Sequence, residues 1–143
     1  MHFLDVNFLA IVVAAVAAWI FGAGYYGALG KTWGKALGTS MDALKQMNAG
    51  KSAAAKAAPF ILSFVAELIM AYVLYGLLVH IGMFTFRAGV ISGALCWFGF
   101  VLTTIAVNNA FPGRKTMLTV IDAGHWLGVF LIMGAILGWM GVK

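Results

Sequence analysis

Acidic side chains are nearly missing from this chain: its 143 residues include four Asp and Glu, and charged residues of both signs make up only 9%. Ordinary globular domains carry about 25%, so this composition does not describe a soluble domain. Cysteine is almost missing too, and the single Cys96, inside an apolar run, excludes an internal disulfide and any cysteine-based zinc site. Proline occurs only at Pro59 and Pro112, which leaves long stretches free of helix breakers. The nine Lys and Arg give a net charge of +5 but lie between apolar runs rather than in a stripe or motif. That scatter argues against nucleic acid as a partner.

Apolar sequence is what remains, at 64% of residues and a mean hydropathy of +1.01. Four runs, 4–26, 59–80, 87–108 and 117–140, each exceed the ~20 helical residues that cross roughly 30 Å of hydrocarbon. Their length and their Gly and Ala content favour helices over barrel strands, which are about half as long. The expectation is an all-α integral membrane protein, one four-transmembrane-helix bundle whose first partner is the lipid bilayer. The segment ahead of the first run holds Asp5 and no Lys or Arg, unlike a signal peptide, so that run is expected to stay as a membrane helix.

The connection 27–58 carries Lys31, Lys35, Lys45, Lys51 and Lys56, and the third connection carries Arg114 and Lys115. The other side has only Arg87 and Lys143. By the positive-inside rule the basic connections are cytoplasmic and both termini face outward. Within 27–58, Thr39 with Asp42 reads as a capping box, Met41, Leu44 and Met47 recur on one face, and Gly50 stops the pattern. This predicts a short interfacial helix in a cytoplasmic loop. Trp33 between Lys31 and Lys35 suits the headgroup layer, and Pro59 suits the first helical residue of the second span. Pro112-Gly113 marks the third turn.

Polar residues inside the runs carry the functional signal. At 1.5 Å per residue Glu67 lies ~12 Å beyond Pro59, and Asp122 and His125 lie ~8 and ~12 Å beyond Met117. Thr103, Thr104, Asn108 and Asn109 end the third run, and Tyr25 and Tyr26 end the first. Counted at 3.6 residues per turn, Asp122 and His125 share one stripe, Ser63 and Glu67 another, and Trp97, Val101, Thr104 and Asn108 a third. A bundle directing these stripes inward places Glu67, Asp122, His125 and Asn108 around one polar pocket. Two uses stay open: a proton- or ion-responsive site, or a satisfied polar core that fixes packing through bonds worth roughly 0.6 kcal/mol each. Separately, Gly89 with Gly93, Gly124 with Gly128, and Gly134 with Gly138 are four-residue small pairs that permit close helix approach, for internal packing or for assembly. Ala14, Ala18 and Gly22 form a similar series.

Other chemistries fail on their own requirements. Gly30-Lys31-Thr32 lacks the upstream glycine of a phosphate loop, since Tyr25 occupies that place. Haem needs two axial ligands at one depth, whereas His80 and His125 lie at different depths. His2, Asp5 and His80 are three scattered weak ligands, so no metal or other cofactor is expected. No nucleophile is paired with a base, and an enzyme is not expected.

The segments Gly22-Ala-Gly24-Tyr25-Tyr26, Leu29-Gly30-Lys31-Thr-Trp33 and Asn108-Asn109, followed by Phe111 and Gly113-Arg114, resemble the bacterial membrane family catalogued as domain of unknown function 1761. The resemblance spans nearly the whole chain. It implies a four-helix bacterial inner-membrane protein, supplies no reaction, and marks Tyr26, Lys31, Trp33, Asn108 and Asn109 as a suspected site. The expected role is a structural or accessory subunit, assembling with itself or a larger membrane complex. The alternative is a proton-coupled small transporter or ion-conducting oligomer using the buried Glu, Asp and His.

Overall fold

The computed structural model describes residues 6–141. They are helical with short connections, and no strand occurs among them. The fold opens with α1 (Phe8–Leu37), α2 (Met41–Ala49) and α3 (Ala53–Ile81). The third span is α4 (Phe86–Cys96), a π-helical turn (Trp97–Leu102) and α5 (Thr103–Ala110), and the last is α6 (Thr116–Met140). Four of these helical segments, Phe8–Leu37, Ala53–Ile81, Phe86–Ala110 and Thr116–Met140, are long and apolar enough to cross a bilayer. Helices suit that setting because they satisfy every backbone polar group within the segment. The protein is an all-α, multi-pass membrane protein.

The first connection differs most from expectation. α1 continues eleven residues past Tyr26 to Leu37, so 27–58 is not a loop and Gly30, Lys31 and Trp33 are helical. No proline stands between Gly27 and Leu37, and Gly30 and Gly34 are buried beside Met41, the first residue of α2. Thirty residues extend ~45 Å, well beyond the hydrocarbon. Gly38 ends α1 at φ 82, with its N–H on Lys35 O and that of Thr39 on Gly34 O, the paired bonds of a left-handed glycine cap. The α2 cap is Ser40 rather than Thr39: Ser40 Oγ accepts from Ala43 N at 3.1 Å, while Asp42 lies in the first turn. Similarly Ser52 caps α3 and Pro59 lies inside it, not at its start.

The connections at 38–40 and 50–52, α2 and the α5–α6 turn all lie at one end of the bundle, called here the basic end. Towards the opposite end, Ala10, Ala14 and Ala18 of α1 pack with Ala71, Leu74 and Leu78 of α3 and Val129, Met133 and Leu137 of α6. α6 lies between α1 and α4. Its approach to α4 is backbone on backbone: a Cβ on Gly89, Gly93, Gly134 or Gly138 would run into carbonyl groups of the facing helix. Gly124 and Gly128 face Tyr25 and Phe21 of α1. All six glycines therefore pack against other helices of this chain.

A smaller cluster at the basic end joins Ala36 of α1 to Leu118 and Ile121 of α6, with Tyr25, Tyr26 and Trp33 around it. Lys115 Nζ also donates to Lys35 O at 3.0 Å across these helices. The first turns of α3 join neither cluster, since Pro59 to Leu62 are exposed. A chamber remains there between α1 and α3.

A candidate site in the intramembrane chamber

The chamber is open on one flank and has a volume of about 700 Å³. On α1 its wall is one stripe, Trp19, Gly22, Tyr26, Gly30 and Trp33, at successive three- and four-residue steps. α3 contributes Phe60, Ser63 and Glu67 by the same periodicity, α6 contributes His125 and Trp126, and Met41 of α2 closes the basic end. At the rim, Trp19 Nε1 donates to Ser63 Oγ at 3.0 Å and Phe60 O at 3.2 Å, while Ser63 Oγ donates to Phe60 O at 2.8 Å. These bonds tie α1 to α3.

Glu67 is 1% exposed and His125 6% exposed. Neither Glu67 Oε2 nor His125 Nδ1 has a hydrogen-bond partner among the described residues. Buried polar atoms are normally paired, because an unpaired one costs about 1–3 kcal/mol. Gly22 makes room for the imidazole, since a Cβ there would stand 2.7 Å from His125 Nε2. The ring is held among Phe21, Tyr25, Tyr26 and Trp126 at centroid distances of 6.2, 5.6, 4.9 and 4.9 Å.

Asp122 is different, although it lies one turn from His125. Its Oδ1 accepts from Tyr26 Oη at 2.8 Å and Trp33 Nε1 at 3.1 Å. An aspartate with two donors on one oxygen is a satisfied anchor between α6 and α1. Neighbouring α6 carbonyls are also held by α1 and the third span: Tyr25 Oη donates to Ile121 O at 2.9 Å and Trp97 Nε1 to Ala123 O at 2.8 Å.

The structure thus brings Glu67, His125, Tyr26, Gly30 and Trp33 to one chamber, with Asp122 behind Tyr26 and Trp33. It does not bring Asn108 or Thr104. Both are exposed, and Thr104 Oγ1 turns back to Phe100 O of its own helix. Asn109 instead reaches α6, donating to Thr119 Oγ1 at 3.1 Å. The π-helical turn at Trp97–Leu102 accounts for this, because its wider winding advances the following residues by one position. Lys31 is exposed away from the chamber.

A family model described as "Protein of unknown function (DUF1761)" matches residues 9–138. The chain belongs to this family. No curated protein and no solved structure matches it. The match covers every chamber residue, so the chamber belongs to the family domain and not to an appended segment.

Reading residues singly missed Trp19, Gly22, Phe60 and Trp126 as chamber wall. Their signal was available on α1, where aromatic residues and glycines alternate on one stripe. Bulky rings beside absent side chains create space, whereas a packed face would fill it. Among the described residues no three His, Cys, Asp or Glu side chains converge. His2, Asp5 and Lys143 lie outside the described residues.

Proposed function

We propose that this protein is a small proton-linked carrier of the bacterial inner membrane. Its Glu67 and His125 form the proton site, and the chamber holds the molecule whose passage is coupled to it. The observation that carries this reading is the pairing of two titratable side chains, each at least nine-tenths buried and each with an unpartnered atom, on one chamber wall. Polar groups kept at such cost within membrane helices are characteristic of ion and proton paths. Asp122 lacks this property and serves as an anchor. With the basic end in the cytoplasm, the chamber lies in the inner leaflet and both termini lie outside.

Carriage is favoured over catalysis because the chamber hydroxyls are committed, that of Ser63 to Phe60 O and Trp19 and that of Tyr26 to the Asp122 anchor. It is favoured over an accessory role because the glycine faces that motivated assembly are filled within the chain.

The test is proton flux into proteoliposomes under an imposed pH gradient, read by a trapped pH-sensitive dye. Flux is expected above that of protein-free liposomes and is expected to be lost in Glu67→Gln and His125→Ala. Wild-type flux equal to that of protein-free liposomes, or flux unchanged in both variants, overturns the reading.

A further inference from the structure

The chamber lining carries one acid, Glu67, and no Lys or Arg. Its walls are rich in rings: Trp19, Tyr26, Trp33, Phe60 and Trp126 all face it. Indole and phenyl faces attract cations, most strongly when water is excluded. Glu67 Oε2, buried and unpartnered on the same wall, is where a counter-charge would be met. The lateral rim includes Trp19 and Phe60, which are 36% and 63% exposed on the flank that faces lipid in a bilayer. An apolar molecule can therefore arrive through the hydrocarbon between α1 and α3.

From this geometry we infer that the chamber binds a lipophilic organic cation, paired with the Glu67 carboxylate and enclosed by the Trp and Tyr rings. The inference rests on the carrier reading and names its substrate class. A neighbouring cleft of about 480 Å³, sharing Trp33, Met41 and Phe60 with the chamber, is lined by Lys45 and Lys56. Both lysines are exposed. They oppose access of a cation from the basic end and leave the lateral route.

Binding implies exchange. An unpaired charge within hydrocarbon costs at least ~2.5 kcal/mol, a cost that a bound cation removes. The carboxyl O–H of Glu67 breaks, its proton leaves to water, and the carboxylate pairs with the arriving cation. Net charge in the chamber is unchanged. The other titratable groups facing this region are His125 of α6 and Tyr26 of α1, with Asp122 bound behind Tyr26. α2 contributes only Met41 to the chamber, and its Lys45 belongs to the adjoining cleft.

The experiment titrates the full chain in mild detergent with tetraphenylphosphonium, following tryptophan fluorescence and confirming stoichiometry by equilibrium dialysis. Tetraphenylborate, nearly the same shape with opposite charge, is the control. Saturable binding of one cation per chain is expected, tightening by up to ~10-fold per pH unit as proton competition falls. Glu67→Gln is expected to weaken it at least ~10-fold, whereas Glu67→Asp, which keeps the charge, stays within that factor. Should Glu67→Gln fail to fold, the wild-type pH dependence and Glu67→Asp decide. Tetraphenylborate binding as tightly as the cation, cation binding independent of pH, or binding unchanged in folded Glu67→Gln overturns the inference. Proton flux without cation binding overturns the substrate class alone, and cation binding without flux overturns the carrier reading alone.

Discussion

Replacing Glu67 by Met separates a functional acid from a structural one by the sign of a stability change. The two side chains have similar length and volume, and volume-conserving exchanges in packed interiors cost less than ~1.5 kcal/mol. Against that stands the carboxyl, 1% exposed and with an unpartnered Oε2, whose removal recovers about 1–3 kcal/mol. Glu67→Met is therefore expected to leave stability unchanged or raise it by about 1 kcal/mol while abolishing proton flux. Such a trade is usual for residues retained for activity rather than for folding. The assay is reversible unfolding in mixed micelles under increasing dodecyl sulfate, followed by loss of helical circular dichroism. A Glu67 engaged in a buried ion pair would instead cost about 3–5 kcal/mol on removal of one partner. Destabilisation of that size would refute the claim that the carboxyl is held at a cost.

Two further outcomes follow from the helix contacts. Gly134→Ala places a methyl group within 3 Å of Gly89 C and O on α4 and is expected to cost about 1–3 kcal/mol in the same assay; Gly99→Ala, with no neighbour within 4 Å among the described residues, gains up to ~1 kcal/mol of helix propensity. Asn109→Leu is expected to lose the bond to Thr119, roughly 0.6 kcal/mol, whereas Asn108→Leu, on the exposed face, is neutral or stabilising; equal effects at both positions would remove the proposed one-residue advance across the π-helical turn.

Composition and run length were enough to read four membrane-crossing helices, because hydrocarbon leaves the backbone few alternatives. They could not locate the end of α1. Hydropathy falls at Lys31 and Lys35, but a helix ends where its backbone bonds are capped, and that point is Gly38 with Ser40 opening α2. Polarity marked where α1 leaves the apolar run, not where it stops being a helix. The distinction matters at Trp33, whose indole reaches Asp122 only because α1 is still helical there.

The pocket expected from the sequence combined Glu67, Asp122, His125 and Asn108, and each miss traces to a cause that uniform helix phasing does not contain. Phasing at 3.6 residues put Trp97, Val101, Thr104 and Asn108 on one stripe, and Trp97 does face inward, with its indole on Ala123 O. Beyond the π-helical turn the less exposed positions are Ile105 and Asn109, one residue later than the Thr104 and Asn108 that uniform winding demands. No composition signal announces that extra residue. Asp122 and His125 do share a face, yet only the partners across the helix interface distinguish them. Tyr26 and Trp33 converge on the carboxylate, while Gly22 removes the side chain that would have filled the space beside the imidazole. The functional asymmetry between two residues one turn apart on α6 is therefore written on α1.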